Sequence, residues 1–211
     1  EMPLLQPSKI LEILKEGASI PLTPRRSEIE PIWIGRGIPA HIVTTSISQP
    51  DLTLLFVHGG GFTGGSTVGH VDLCARLADA AKAEVFSVDY RLAPEHPFPA
   101  AVEDCLSAYC HLLDEGCAPA EIIPVGLSAG GTLVLSMLLA VRDVARPMPA
   151  AAVLLSPAPD MLFLGESVIS NRDTDWLTPR DLARIMKHYI ADGDPTDPLA
   201  SPLYADLRGL P

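Results

Sequence analysis

The sequence predicts an α/β fold, a mostly parallel sheet with helices on both faces. Three observations carry that expectation. Short apolar runs alternate with segments of helical spacing from about residue 30 to residue 155. The run at 52–57 (LTLLFV) is continuously apolar apart from Thr53, as expected of a strand buried on both faces. Hydrophobic residues make up 47% of the 211 positions and charged residues 19%, which supplies a core and excludes a disordered chain.

The elements follow in order. Residues 8–16 (SKILEILKE) read as a short amphipathic helix with Ser8 as N-cap and Gly17 as stop. Strand-like runs at 30–34 and 38–45 precede the buried strand at 52–57. Residues 68–82 form a helix, with Val71, Cys74, Leu77, Ala78 and Ala81 at helical spacing. The pattern continues as strand 84–88, helix 99–115, strand 121–127, helix 129–142 and strand 150–155. Pro124 lies inside one strand and deletes a ladder donor, so an edge-like position, a bulge or a late start is expected there. Past Asp160 the alternation stops. Residues 161–175 read as irregular, and Thr178 then caps a helix with Pro179 first and Asp181 in its first turn. That helix ends near Asp192 and Gly193, and 197–211 reads as a loop approaching another strand.

Composition excludes several function classes. Lys and Arg number 15 against 26 Asp and Glu, a net charge of −11 that repels phosphate backbones, and aromatics are only 5%. Nucleic acid is therefore not an expected partner. The longest apolar stretch, 131–141, is broken by Ser136 and falls short of the ~18 residues of a membrane span. No secretory signal is visible in the residues shown. Cys74, Cys105, Cys110 and Cys117 have no zinc-ligand spacing and read as reduced, half-buried hydrophobes, which favours a cytoplasmic location. Asp192, Asp194 and Asp197 begin like a calcium loop, but Pro195 intrudes and the twelfth position is Leu203, so no metal is expected.

Two motifs carry chemistry. Gly126-Leu127-Ser128-Ala129-Gly130 fits G-x-S-x-G between a strand and a helix, where a serine hydroxyl is pushed into the open on a sharp bend. The Ala129 N–H then opens a helix whose dipole favours a developing oxyanion. Earlier, His58-Gly59-Gly60-Gly61-Phe62 follows the buried strand directly, and its glycines let backbone N–H groups turn toward a substrate oxygen. A phosphate loop is the rival there. It would need a Lys-Ser/Thr pair that Gly64-Gly65-Ser66-Thr67 does not provide.

With DYRLAPEHPFPAAVEDC at 89–105 between them, these motifs resemble the hormone-sensitive-lipase-like carboxylesterases of the α/β-hydrolase superfamily. The likeness continues through DTDWLTP at 173–179 and DPLASPLYADLRGLP at 197–211. The resemblance implies an α/β-hydrolase fold with Ser128 as nucleophile and Gly60, Gly61 and Ala129 as oxyanion-hole donors. It makes the Asp89–Arg91 turn a structural brace. It also divides the chain into an N-terminal cap segment (1–35), a core (36–160), a second cap segment (161–195) and the start of a C-terminal core (196–211). Leu127 departs from the family, standing where many relatives carry a polar residue.

Ser128 needs a base to attack at neutral pH. The α/β-hydrolase triad runs Ser…Asp/Glu…His, and the resemblance places the acid and histidine after Pro211, with the last strands. Inside the chain only His188 follows Ser128, and Asp160 stands where some α/β-hydrolases carry the acid. Ser128, Asp160 and His188 therefore form the alternative triad. The expected activity is hydrolysis of small acyl esters through an acyl-enzyme, with no cofactor, and residues 1–211 alone are expected to be inactive. The alternatives are a silent hydrolase-fold protein that binds a small molecule, and a lactonase or deacetylase with the same nucleophile.

Overall fold

The computed structural model describes residues 27–35 and 37–211. The helix expected at 8–16 lies outside them. Six strands form one sheet: β1 (Ser27–Ile34), β2 (Ile38–Thr45), β3 (Gln49–Val57), β4 (Ala83–Val88), β5 (Ile122–Leu127) and β6 (Val153–Leu155). Their order is β1-β2-β4-β3-β5-β6. The β4–β3, β3–β5 and β5–β6 pairs are parallel, whereas β2 is antiparallel to both neighbours. Among the described residues five α-helices accompany it: α1 (Thr67–Ala81), α2 (Ala100–Asp114), α3 (Ala129–Asp143), α4 (Glu166–Ser170) and α5 (Pro179–Ile190).

Strand alternation divides the core in two. Leu54 and Phe56 of β3 join Val43, Val85 and Val125 under Cys74, Ala75 and Ala78 of α1. Leu55 and Val57 point the other way, into a larger cluster with Cys105 and Tyr109 of α2 and Leu133 and Met137 of α3. Period-two burial on both faces is why residues 54–57 of β3 are apolar without a break. At the β6 end the α1 face thins out, leaving Val153 and Leu155 42% and 36% exposed.

The strand-like run expected at 30–34 is β1, which pairs with β2 at the edge of the sheet and alternates Ile32 and Ile34 into the core. Two expectations need correction. The strand expected at 150–155 is only Val153–Leu155. Inside the supposedly irregular 161–175, Glu166–Ser170 makes one short helical turn. Pro124 behaves as anticipated. The β6 ladder begins at Val125, so its flank toward β6 is edge-like. No helix among the described residues is long and apolar enough to cross a membrane.

Candidate active site

Ser128 follows β5 and is the N-cap of α3, with φ 53° and ψ −119°. Such backbone costs a non-glycine residue about 1–3 kcal/mol, and the close packing of the motif glycines holds it in place. A Cβ on Gly126 would stand 2.3 Å from Gly130 O, and one on Gly130 would stand 2.0 Å from Val57 O. Both obstacles are backbone atoms, so neither position admits a side chain. The Ser128 N–H donates to Leu155 O at 2.8 Å, tying the bend to β6, while its side chain stays partly exposed.

The glycine loop reaches this bend. Gly60, Gly61 and Phe62 have φ of 132°, 60° and 61°, and a Cβ on Gly60 would strike Gly64 O at 2.0 Å. The loop thus folds back on itself as only glycine permits. A Cβ on Gly59 would meet Leu127 O at 3.0 Å and Ser128 Cβ at 3.3 Å, so the two motifs lie against each other. Among the described residues no acceptor takes the N–H groups of Gly60, Gly61 or Ala129. A free donor trio beside a hydroxyl on a strained bend is suited to grip a carbonyl oxygen as charge develops on it.

Residues 89–93 splint the loop. Asp89 Oδ1 accepts the Thr67 N–H at the start of α1 at 2.5 Å. The Tyr90 hydroxyl donates to His58 O at 2.9 Å, and the Ala93 N–H donates to Phe62 O at 2.9 Å. Beyond the loop, Arg91 Nε and Nη2 donate to the Asp104 carboxylate at 2.8–3.0 Å, and the Arg91 backbone N–H joins them at 2.8 Å. Burial raises the Tyr90 phenol well above its usual range, which keeps it a donor.

His58 is 1% exposed and stacks on Tyr90, with ring centroids 4.2 Å apart. Burial pulls its imidazole down to about 4, so the ring is neutral near pH 7. Its Nδ1 lies 2.8 Å from Gly59 O, and because a carbonyl only accepts, that nitrogen carries the proton. Holding the Gly59 carbonyl fixes the plane of the next peptide, and with it the direction of the Gly60 N–H. The sequence reading assigned His58 no role; the signal was its place in the motif directly after a buried strand.

Asp160 and His188 are not brought to Ser128 by any hydrogen bond among the described residues. The Asp160 carboxylate accepts the Leu162 and Leu164 N–H groups and the Tyr204 hydroxyl, each at 3.0 Å. His188 is half-buried on α5, and no hydrogen bond of its side chain occurs among those residues. Asp160 instead clasps the two ends of the 161–200 segment, together with Met161 N–H to Ser201 Oγ at 2.8 Å. Asp194 and Asp197 serve their own turns, accepting from Thr196 and Leu199. No group of three or more His, Cys, Asp or Glu among the described residues is placed to hold a metal ion.

A parallel-rich sheet, a strained serine bend after β5 and a glycine loop after β3 define an α/β-hydrolase. The chain belongs to this family: the family description "alpha/beta hydrolase fold" matches residues 54–211. Within it, the chain falls in the hormone-sensitive-lipase-like esterase branch. It is 39% identical to an acetyl-hydrolase of Streptomyces hygroscopicus, covering 95% of this chain and 74% of that one. It is 36% identical to an esterase of Acinetobacter venetianus, covering 87% of this chain and 61% of the relative. A solved esterase of the bacterial hormone-sensitive lipase family superposes with a TM-score of 0.87 at 37% identity, over 97% of this chain and 75% of that one. The esterase EstE5, soaked with p-nitrophenyl butyrate, gives 0.85 at 35% identity with the same coverage.

Proposed function

We propose that the protein is a carboxylic ester hydrolase acting on small acyl esters, with Ser128 as nucleophile. The close approach of Gly59 to Ser128, beside three N–H donors that no described residue engages, is the observation that carries this reading. Ser128 Oγ attacks the ester carbonyl and loses its proton to a histidine base. The carbonyl oxygen gains negative charge and is held by the N–H groups of Gly60, Gly61 and Ala129. The base returns the proton to the departing alcohol, and water then cleaves the acyl-enzyme by the same sequence. We place the histidine and its acid partner after Pro211, following the chain order of α/β-hydrolases. The four thiols, none in a disulfide, support a cytoplasmic location.

The test is hydrolysis of a short-chain chromogenic ester by the full-length protein and its Ser128→Ala variant. Loss of turnover by about 10⁴-fold or more is expected. Retained activity rejects Ser128, and tight ligand binding without any wild-type turnover would indicate a binding protein.

A further inference from the structure

Two residues on one stripe of α5 touch the glycine loop at consecutive positions. Ile185 Cδ1 lies 3.0 Å from where a Gly61 Cβ would be, and the Tyr189 ring stacks on Phe62 with centroids 3.8 Å apart and planes 13° from parallel. Residues four apart share a helix face, so one surface of α5 bears on both. Phe62 and Tyr189 are each 1% exposed. The Phe98 N–H donates to Tyr189 O at 2.7 Å, and the Phe98 ring meets Tyr189 edge-on at 5.9 Å. The Tyr189 hydroxyl has no partner among the described residues. A lone buried hydroxyl is a cost, so the contribution of this position comes from its ring.

We infer that Ile185 and Tyr189 are positioning residues: α5 buttresses the oxyanion loop, so the packing of this helix helps set the rate of the chemical step. Gly61 and Phe62 both sit at φ near +60°, and Gly61 has no side chain of its own to anchor it. Donors serve an oxyanion only when held to within about 0.5 Å, and a shift near 1 Å costs about 100-fold in rate. Contact from Ile185 and Tyr189 adds a side-chain restraint to the hydrogen bonds that Tyr90 and Ala93 give the loop. This inference rests on the Ser128 esterase reading.

Steady-state kinetics of the full-length protein on a short-chain ester, per titrated active site, test it. Tyr189→Phe keeps the ring and should keep the wild-type kcat. Tyr189→Leu should lower kcat by about tenfold to a hundredfold with KM little changed. Ile185→Ala should move kcat the same way by about threefold to tenfold, and it decides the matter if Tyr189→Leu does not fold. An effect confined to KM, or to melting temperature at unchanged kcat, overturns the inference while the esterase reading stands. Activity surviving in Ser128→Ala would instead remove the reading beneath it.

Discussion

A methyl group built on Gly59 would stand 3.3 Å from the Cβ of Ser128. That distance is tighter than most carbon contacts, and Leu127 O at 3.0 Å closes the other side. Gly59→Ala must therefore push the loop away from Ser128. We expect kcat to fall about tenfold to a hundredfold, with a smaller change in KM, measured by steady-state hydrolysis.

The elbow glycines face harder obstacles. Gly130→Ala drives a Cβ to 2.0 Å from Val57 O, at the end of the central strand. A loss of about 3 kcal/mol in folding stability is expected from urea unfolding. Gly35, with φ +52° and no atom of the described residues beyond its chain neighbours within 4 Å of an added Cβ, is the control. Gly35→Asn should shift stability by less than about 0.5 kcal/mol, since Asn tolerates the left-handed region.

His58 makes the fold sensitive to acid. Its imidazole titrates near 4 in the folded protein against 6.5 when unfolded, so between these values the unfolded chain binds the extra proton. The stability from burying it neutral is complete above pH 6.5, declines as pH falls, and is lost below about 4. The loss amounts to about 3 kcal/mol. In His58→Gln, unfolding free energy measured from pH 7 to pH 4 should fall less steeply than in the wild type. An unchanged slope would show that this ring does not carry the effect.

Arg91 and Asp104 should respond unequally to truncation. Asp104 is 3% exposed at its side chain and Arg91 43%, so removing the arginine strands a buried carboxylate, whereas removing the carboxylate leaves the arginine reaching water. Arg91→Ala should cost about 2–3 kcal/mol and Asp104→Asn about half of that, by chemical denaturation.

His188→Ala should leave ester hydrolysis unchanged, because no hydrogen bond among the described residues connects it with Asp160 or Ser128. Asp160→Ala should lower the melting temperature by releasing Leu162, Leu164 and Tyr204. Turnover abolished by His188→Ala in a folded protein would restore the internal triad.

Much of this arrangement was legible in the sequence, for physical reasons that also mark its limits. The β3 strand declared itself because both faces are buried, and Ser128 because a strained bend admits only small neighbours. The short β6 was overextended because residues 150–152 are apolar enough to suggest a strand that the ladder does not include. The α4 turn spans five residues, too few for a helical period to show. Long-range partners were least accessible: the Tyr90 hydroxyl meets His58 O across 32 positions, and no local pattern encodes that bond. The contact of Ile185 and Tyr189 with Gly61 and Phe62 was equally hidden, although their spacing of four marked a shared helix face.

In the proposed site the glycine loop and the Ala129 N–H surround an oxygen bound at Ser128. The most direct measurement is a crystal structure of the full-length protein after reaction with an alkyl phosphonate. We expect phosphorus on Ser128 Oγ, with the phosphoryl oxygen about 2.7–3.1 Å from the nitrogens of Gly60, Gly61 and Ala129. Phosphorus on another residue, or that oxygen turned away from all three nitrogens, would reject this oxyanion site.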